Sequence, residues 1–178
     1  MAVEVRTAHT ADVDPAVLCT ARALLFDAFD GDLSNHDWEH SLGGIHAFAW
    51  DDDQLIGHAA VVQRRLLHAG RALRTGYVEG VGVRADRRRD GNGAALMAAL
   101  ERVLRGAYEL GALGATEQAL SFYASRGWMP WAGPTWALTP AGVVRTEEED
   151  GAIYVLPLAA ELDLAGELTC DWRDGDVW

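Results

Sequence analysis

The sequence predicts an α+β fold, a mixed but mainly antiparallel sheet flanked by helices. Three observations predict it. Residues 76–104 read as a strand, a glycine loop and a helix in direct succession. Ahead of them, three β-rich runs follow one another through short polar turns. Helix-period stretches stand on both sides of these runs, and helices laid against a mainly antiparallel sheet make an α+β domain by packing logic.

Residues 3–8 alternate apolar and polar and read as a first strand. Asp14-Pro15 opens a helix, with a capping acid and then proline at the first helical position. That helix is expected to run to 29, with Leu18, Leu25, Phe26 and Phe29 on or near one face, and 30–32 ends it. Residues 34–40 read as a short second helix capped by Ser34, broken at Gly43-Gly44. Strands follow at 46–50, 55–67 and 72–83, with turns at 51–54 and 68–71, so the three form a meander. Arg84 to Asp90 is strongly charged, and Gly91-Asn92-Gly93 is a turn signal. Leu96, Met97, Leu100, Val103, Leu104, Ala107 and Tyr108 then recur with a helix period. Residues 111–116 suggest a short buried strand and 117–125 a helix ended before Gly127. Strand candidates at 128–131 and 136–138 are separated by Gly133-Pro134. An acidic loop at 145–151, a last strand at 153–158 and an acidic tail complete one expected domain over 1–178.

The chain has 178 residues, of which 49% are hydrophobic, enough for one ordinary domain with a substantial core. No apolar run approaches the ~20 residues of a membrane span. The first fourteen residues lack a basic region followed by an apolar stretch, so no leader and no membrane partner are expected. Cys19 and Cys170 are then read as free thiols in a reducing, cytoplasmic compartment. Net charge is −12, from 15 basic and 27 acidic residues, which disfavours a nucleic-acid partner. Arginines 64, 65, 71, 74, 84 and 87–89 read as a basic patch around the glycine loop, suited to an anionic cofactor beside a cationic substrate.

A glycine loop opening onto a helix N-terminus makes an anion site, because unpaired backbone N–H groups and the helix dipole face outward. Gly91 and Gly93 would let phosphate oxygens approach the backbone; the alternative is a solvated turn. Arg88-x-x-Gly91-x-Gly93, after a strand ending Val81-Gly82-Val83, resembles the acyl-CoA loop of the GNAT N-acetyltransferases. Ala119-x-x-Phe122-Tyr123-x-x-x-Gly127-Trp128 resembles a second pattern of that family. The resemblance implies that amides of Arg88, Arg89, Asp90, Gly91, Asn92 and Gly93 hold the pyrophosphate of acetyl-CoA. It further implies that the backbone of Val81, Gly82 and Val83 holds the pantetheine arm and acetyl carbonyl, with the N–H near Val81 stabilising the oxyanion. Tyr123 would approach the CoA sulfur, where a phenol can protonate a leaving thiolate; otherwise it is a half-buried aromatic with a wet hydroxyl. Alternation puts Tyr77, Glu79 and Val81 on one face of their strand. A carboxylate at Glu79 could deprotonate an attacking ammonium, directly or through water; the other reading is an exposed acid in a cross-strand pair.

Several segments resemble a narrower group, the aminoglycoside 2′-N-acetyltransferases. They include Asp37-Trp38-Glu39-His40, 58–66, Gly76 to Val81, 105–113 and the terminal Cys170-Asp171-Trp172-Arg173-x-Gly175-Asp176-Val177-Trp178. That resemblance implies Glu79 as base and Tyr123 as acid. It implies Asp32, the Glu79-Gly80 backbone, the acidic loop at Glu148-Glu149, Asp176 and the Trp178 carboxylate as holders of the drug, with Asp37 and Gly114 in the same group. A serine of the family stands as Gly114 here, and glutamates replace the usual aspartates of the acidic loop. A homodimer is implied as well. The alternative is the same fold acting on a polyamine, a metabolite or a protein N-terminus; a non-catalytic CoA-binding protein is a third class. His36-x-x-Glu39-His40 also matches a zinc-peptidase spacing, without an obvious third ligand, so no metal is expected.

Overall fold

The structure, a computed structural model, describes residues 3–178. The first two residues, part of the stretch read for a leader, lie outside the described ones. In chain order the elements are β1 (Glu4–His9), α1 (Pro15–Ala28), α2 (Asn35–His40), β2 (Ile45–Asp51), β3 (Gln54–His68), β4 (Arg71–Val83) and α3 (Asn92–Ala107). They continue with β5 (Leu110–Gly114), α4 (Leu120–Ser125), β6 (Met129–Pro130), β7 (Thr135–Thr139), β8 (Gly142–Arg145), β9 (Ile153–Pro157) and β10 (Leu168–Cys170). The chain forms two compact units. One is the chain up to Val62 with Val78–Val103; the other is Gln63–Tyr77 with Leu104–Trp178. β3, β4 and α3 run through both.

In the first unit β1 pairs antiparallel with β2, and β2 with β3, in the register Phe48↔His58 and Ala47↔Ala59. α1 begins as its sequence dictates: the Asp14 carboxylate accepts from Ala16 N at 2.8 Å and Pro15 occupies the first turn. The helix buries Ala21, Leu24 and Leu25 against Trp38, Phe48 and Leu55, with Leu18, Phe26 and Phe29 partly buried around them. Burying a leucine such as Leu25 is worth about 1.5–3 kcal/mol. Asp30 (φ 53) and Gly31 (φ 85), both left-handed, end it sharply. α2 carries a full capping box, Ser34 Oγ accepting from Asp37 N and Asp37 Oδ2 accepting from Ser34 N.

In the second unit the strand order is β6-β9-β5-β4-β3-β10-β7-β8. β4–β5 and β10–β7 are parallel, while β5–β9, β6–β9, β7–β8 and β10–β3 are antiparallel. The β3–β4 turn uses two left-handed residues, Ala69 (φ 48) and Gly70 (φ 76), the twist that hairpins favour. Trp128 and Trp131 are fully buried here.

The expected α+β sheet and meander are present. Several local expectations need correction. The helix expected over 117–125 is a 3₁₀ turn (Glu117–Ala119) followed by the single-turn α4. Only Met129–Pro130 of 128–131 is strand. β8 precedes the acidic loop, and β10 lies in what read as a plain tail. Leu168 to Cys170 alternates too briefly to announce itself, and only pairing with Thr135 to Ala137 makes it a strand.

Gly44, just before β2, lies so close to β3 that an added Cβ would overlap the Val61 carbonyl oxygen and lie 2.8 Å from Val62 Cγ1. Gly44→Ala should therefore destabilise the protein by about 2–3 kcal/mol, because backbone rather than a flexible side-chain tip must give way. Urea denaturation measures it; an unchanged midpoint would contradict the approach of β2 to β3.

Candidate active site

β4 loses its regular course at Gly80, whose φ of 54 is left-handed in mid-strand. Space also demands glycine: a Cβ there would stand 2.9 Å from Ser41 Oγ and 3.0 Å from Leu25 Cδ1. Burial does not alternate across this residue. Tyr77 and Val78 are both buried, then Glu79, Gly80 and Val81 are all half-buried. The Gly80 carbonyl is taken by His58 Nδ1 at 2.8 Å. Ser41 Oγ, fully buried beside Gly80, has no hydrogen-bond partner among the described residues. Asp32 is exposed just after α1, and one oxygen of Asp37 is spent on the α2 cap.

After Val83 the chain forms a 3₁₀ turn (Ala85–Arg87) and then the glycine loop. Arg89 (φ 67) and Gly91 (φ 82) are left-handed on either side of Asp90, the alternating geometry that gathers backbone N–H groups into an anion-binding nest. The buried Asn92 closes the loop by donating from Nδ2 to the Arg87 carbonyl at 2.8 Å, and α3 follows. Nothing lies within 4 Å of a Cβ built on Gly91, so the nest opens to free space. These features fit a pyrophosphate held by the amides of residues 88–93.

The basic patch expected around this loop is mostly used up. Arg87 pairs with Asp51, Arg84 with Asp86 at 2.7 Å, and Arg71 with Glu109 at 2.9 Å. Arg88 donates to the Val83 carbonyl (3.1 Å) and to the last carbonyl of α1, Ala28 (2.8 Å). It braces the loop rather than offering its charge. Arg89 is exposed, and among the described residues its guanidinium carries no hydrogen bond or ion pair, so it is the loop's available cation. Arg64 belongs to the second unit and is almost fully buried there.

In the second unit the acidic loop and the tail come together. Trp178 is buried, and its indole N–H donates to Thr146 Oγ1 at 2.9 Å. Arg64 donates to Asp171 Oδ1 (2.7 Å) and to the Val177 carbonyl (2.6 Å), and Arg173 donates to main-chain oxygens of Asp176 and Trp178. Arg145 and Thr135 bind Asp150. Glu149 has a raised pKa, first from burial and then from the carboxylates of Asp176 and Glu148. Glu148, Glu149 and Asp176 thus form a site of concentrated negative charge, suited to a cation. Gly114 ends β5 with room to spare: a Cβ would meet nothing nearer than the Tyr77 hydroxyl at 3.6 Å.

Tyr123 is buried on α4, its ring edge-on to Trp128 with centroids 6.1 Å apart, and burial pushes its phenol up to about 12. Such a phenol is always protonated in the working range. It is also the weaker acid beside a thiol, so it suits hydrogen bonding to sulfur while a bond breaks, not full transfer to a free thiolate. Both cysteines are free; burial raises the Cys170 thiol to about 11. Among the described residues no group of three His, Cys, Asp or Glu could hold a metal, and His36, Glu39 and His40 of α2 find no third ligand.

Residues 4–131 match the family model described as an acetyltransferase (GNAT) domain. The chain belongs to the GNAT acetyltransferase family. A relative from Mycolicibacterium fortuitum, named aminoglycoside 2′-N-acetyltransferase, is 56% identical over 97% of this chain and 91% of its own. A GNAT family acetyltransferase from Brucella melitensis, solved in complex with acetyl-CoA, superposes with a TM-score of 0.64, at 18% identity over 94% of both chains. Escherichia coli ElaA gives 0.61, at 20% identity over 86% of this chain and 97% of its own. These two likenesses concern the fold alone. GNAT enzymes use acetyl-CoA.

Sequence reading of this acetyltransferase missed its histidine chain. His46 and His58 are twelve residues apart in sequence, yet a hairpin centred on 52–53 makes them diagonal neighbours, and His46 Nδ1 lies 2.8 Å from His58 Nε2. It also missed the Arg64 and Arg173 clamps, whose main-chain acceptors on Val177 and Trp178 lie 113 and 5 residues along the chain, in the same folded unit.

The two loop arginines should separate experimentally. Arg89→Gln should weaken acetyl-CoA binding several-fold, less so at high salt, without changing the melting temperature. Arg88→Gln should lower the melting temperature, since it strips donors from two backbone carbonyls. Calorimetry and thermal melts on both variants check this; the reverse pattern would exchange their roles.

Proposed function

We propose that this chain transfers the acetyl group of acetyl-CoA to the 2′-amine of an aminoglycoside, inactivating the drug. The observation that carries the reading is the 56% identity over 97% of the chain to a relative named for that reaction. The acidic site of Glu148, Glu149 and Asp176 supports it, because aminoglycosides are polycations and charge-assisted hydrogen bonds hold ammonium groups best.

On this reading the amides of residues 88–93 and Arg89 hold the pyrophosphate, and the backbone of Val81, Gly82 and Val83 holds the pantetheine arm. Glu79 accepts the proton of the 2′-ammonium, directly or through one water, so that a neutral amine attacks the thioester carbonyl. The Val81 N–H donates to the oxygen on which charge develops. Tyr123 donates a hydrogen bond to the sulfur as the carbon–sulfur bond breaks, and the departing thiolate takes its proton from solvent. Asp32, Asp37, the Glu79-Gly80 backbone, Gly114, Glu148, Glu149, Asp176 and the Trp178 main-chain oxygen recognise the drug. The enzyme works as a single-domain cytoplasmic protein and forms a homodimer.

Thiol release from acetyl-CoA, measured against aminoglycosides with and without a 2′-amine and against polyamines, tests the reading. Release confined to 2′-amino drugs is expected; release with polyamines alone would replace the substrate class. Glu79→Gln should lower turnover most at neutral pH and less as pH rises, because more substrate amine is then already free. A uniform loss across the profile would remove the base role. Glu149→Gln should raise the aminoglycoside KM about tenfold, the scale of one charge-assisted contact at a partly solvated site, with the acetyl-CoA KM unchanged. Steady-state kinetics with each substrate varied in turn decides it.

A further inference from the structure

A hydrogen-bonded chain crosses the core of the first unit and ends on β4. The Gly80 carbonyl can only accept, so His58 Nδ1 carries the proton of their 2.8 Å bond. His58 Nε2 then accepts from His46 Nδ1, also at 2.8 Å. His46 Nε2 in turn accepts from Thr10 Oγ1 at 2.7 Å, and Thr10 Oγ1 accepts from Gly43 N at 2.8 Å. With both imidazoles neutral the carbonyl end fixes each direction, and the single Thr10 hydroxyl proton goes to His46 Nε2 at 2.7 Å rather than to the Gly44 carbonyl at 3.3 Å. Both imidazoles are fully buried, walled by Phe48 and Trp38, whose ring centroids lie 5.5 and 5.8 Å from that of His58. Burial lowers the pKa of His46 to about 4 and of His58 to about 3, so both are neutral around pH 7, as the chain requires.

Two imidazoles are a costly way to fill a core that leucine would fill, unless their direction matters. One end of the chain is the carbonyl of a left-handed residue in mid-strand. In a trans peptide the C=O and the next N–H point in opposite directions. Fixing the Gly80 carbonyl therefore fixes the aim of the Val81 N–H. We infer that His58, held by His46 and Thr10, is a positioning residue that orients the Gly80–Val81 peptide for acetyl transfer. This rests on the proposed role of the Val81 N–H as oxyanion donor.

The test uses the full chain with ¹⁵N-labelled histidine and valine. At pH 7 both His46 and His58 should show the neutral Nδ1–H tautomer, and neither should titrate above pH 5. His58→Leu keeps the volume and removes the donor. It should shift the Val81 amide resonance and lower kcat about ten- to a hundredfold, less than outright loss of an oxyanion donor costs, with the acetyl-CoA KM nearly unchanged. His58→Asn, whose amide nitrogen falls near the Nδ1 position, should recover most of kcat. Should His58→Leu fail to fold, Thr10→Val removes the far donor at equal volume and should give a smaller shift and loss. An Nε2–H tautomer at His58, or a Val81 amide unmoved by a folded variant, would overturn the chain itself. A shifted amide with wild-type kcat would overturn its catalytic use and the oxyanion role, leaving the family reaction intact.

Discussion

The first unit depends on one constraint: β4 stops being a regular strand at Gly80, the residue before the proposed oxyanion donor. A flat strand gives both its N–H and its C=O to neighbours and has nothing left for a ligand. A left-handed residue re-aims the peptide that follows, and only glycine takes that conformation without strain. Gly80 meets the requirement twice, by its φ of 54 and because Ser41 Oγ and Leu25 Cδ1 close around its Cα. Re-aiming leaves a carbonyl to be satisfied in the core, and an unpaired buried carbonyl is unfavourable by about 1–3 kcal/mol. His58 answers that need, and His46 and Thr10 answer the need that His58 creates.

Charge is organised by the same logic of use and availability. The net charge of −12 is a property of the whole chain, but the site is decided by which charges are already taken. Most arginines near the glycine loop are engaged by Asp51, Asp86 or backbone carbonyls, which leaves the loop's amides and Arg89 available to an anion. Among the acids, Asp150 is held well below the usual carboxylate range, to about 2, by its hydrogen bond with Arg145. Glu149 moves the other way under burial and its carboxylate neighbours. An engaged carboxylate gains little from a ligand cation, whereas one raised by like charge gains relief from it.

Much of the fold was legible because it rests on local chemistry. Asp14-Pro15, Ser34 with Asp37, and the 51–54 and 68–71 turns fix element ends without help from distant residues. The glycine loop was legible for the same reason. The parts that were not legible are those created by pairing at long range. β10 exists through β3 and β7, and His46 meets His58 only once β2 and β3 are in register. The left-handed break in β4 was not legible, because a glycine in a strand does not say which sign its φ will take.

The two buried polar systems differ in a way that bears on their roles. The histidine chain is neutral, so desolvation is modest and each nitrogen is matched. Arg64 is charged and nearly as deeply buried, yet its Asp171 partner is 38% exposed and its Nη1 has no hydrogen-bond partner among the described residues. Its guanidinium is 4.7 Å from the Tyr77 ring centroid, so the ring face supplies part of what hydrogen bonds do not. Burying such a group is poor economy if stability is the only return. Its other contacts are the carbonyls of Asp171 and Val177, which bring Asp176 and Trp178 to the acidic loop. Both systems therefore place a main-chain segment whose own sequence has little reason to stay where it is: a left-handed break in one case, a glycine- and aspartate-rich tail in the other.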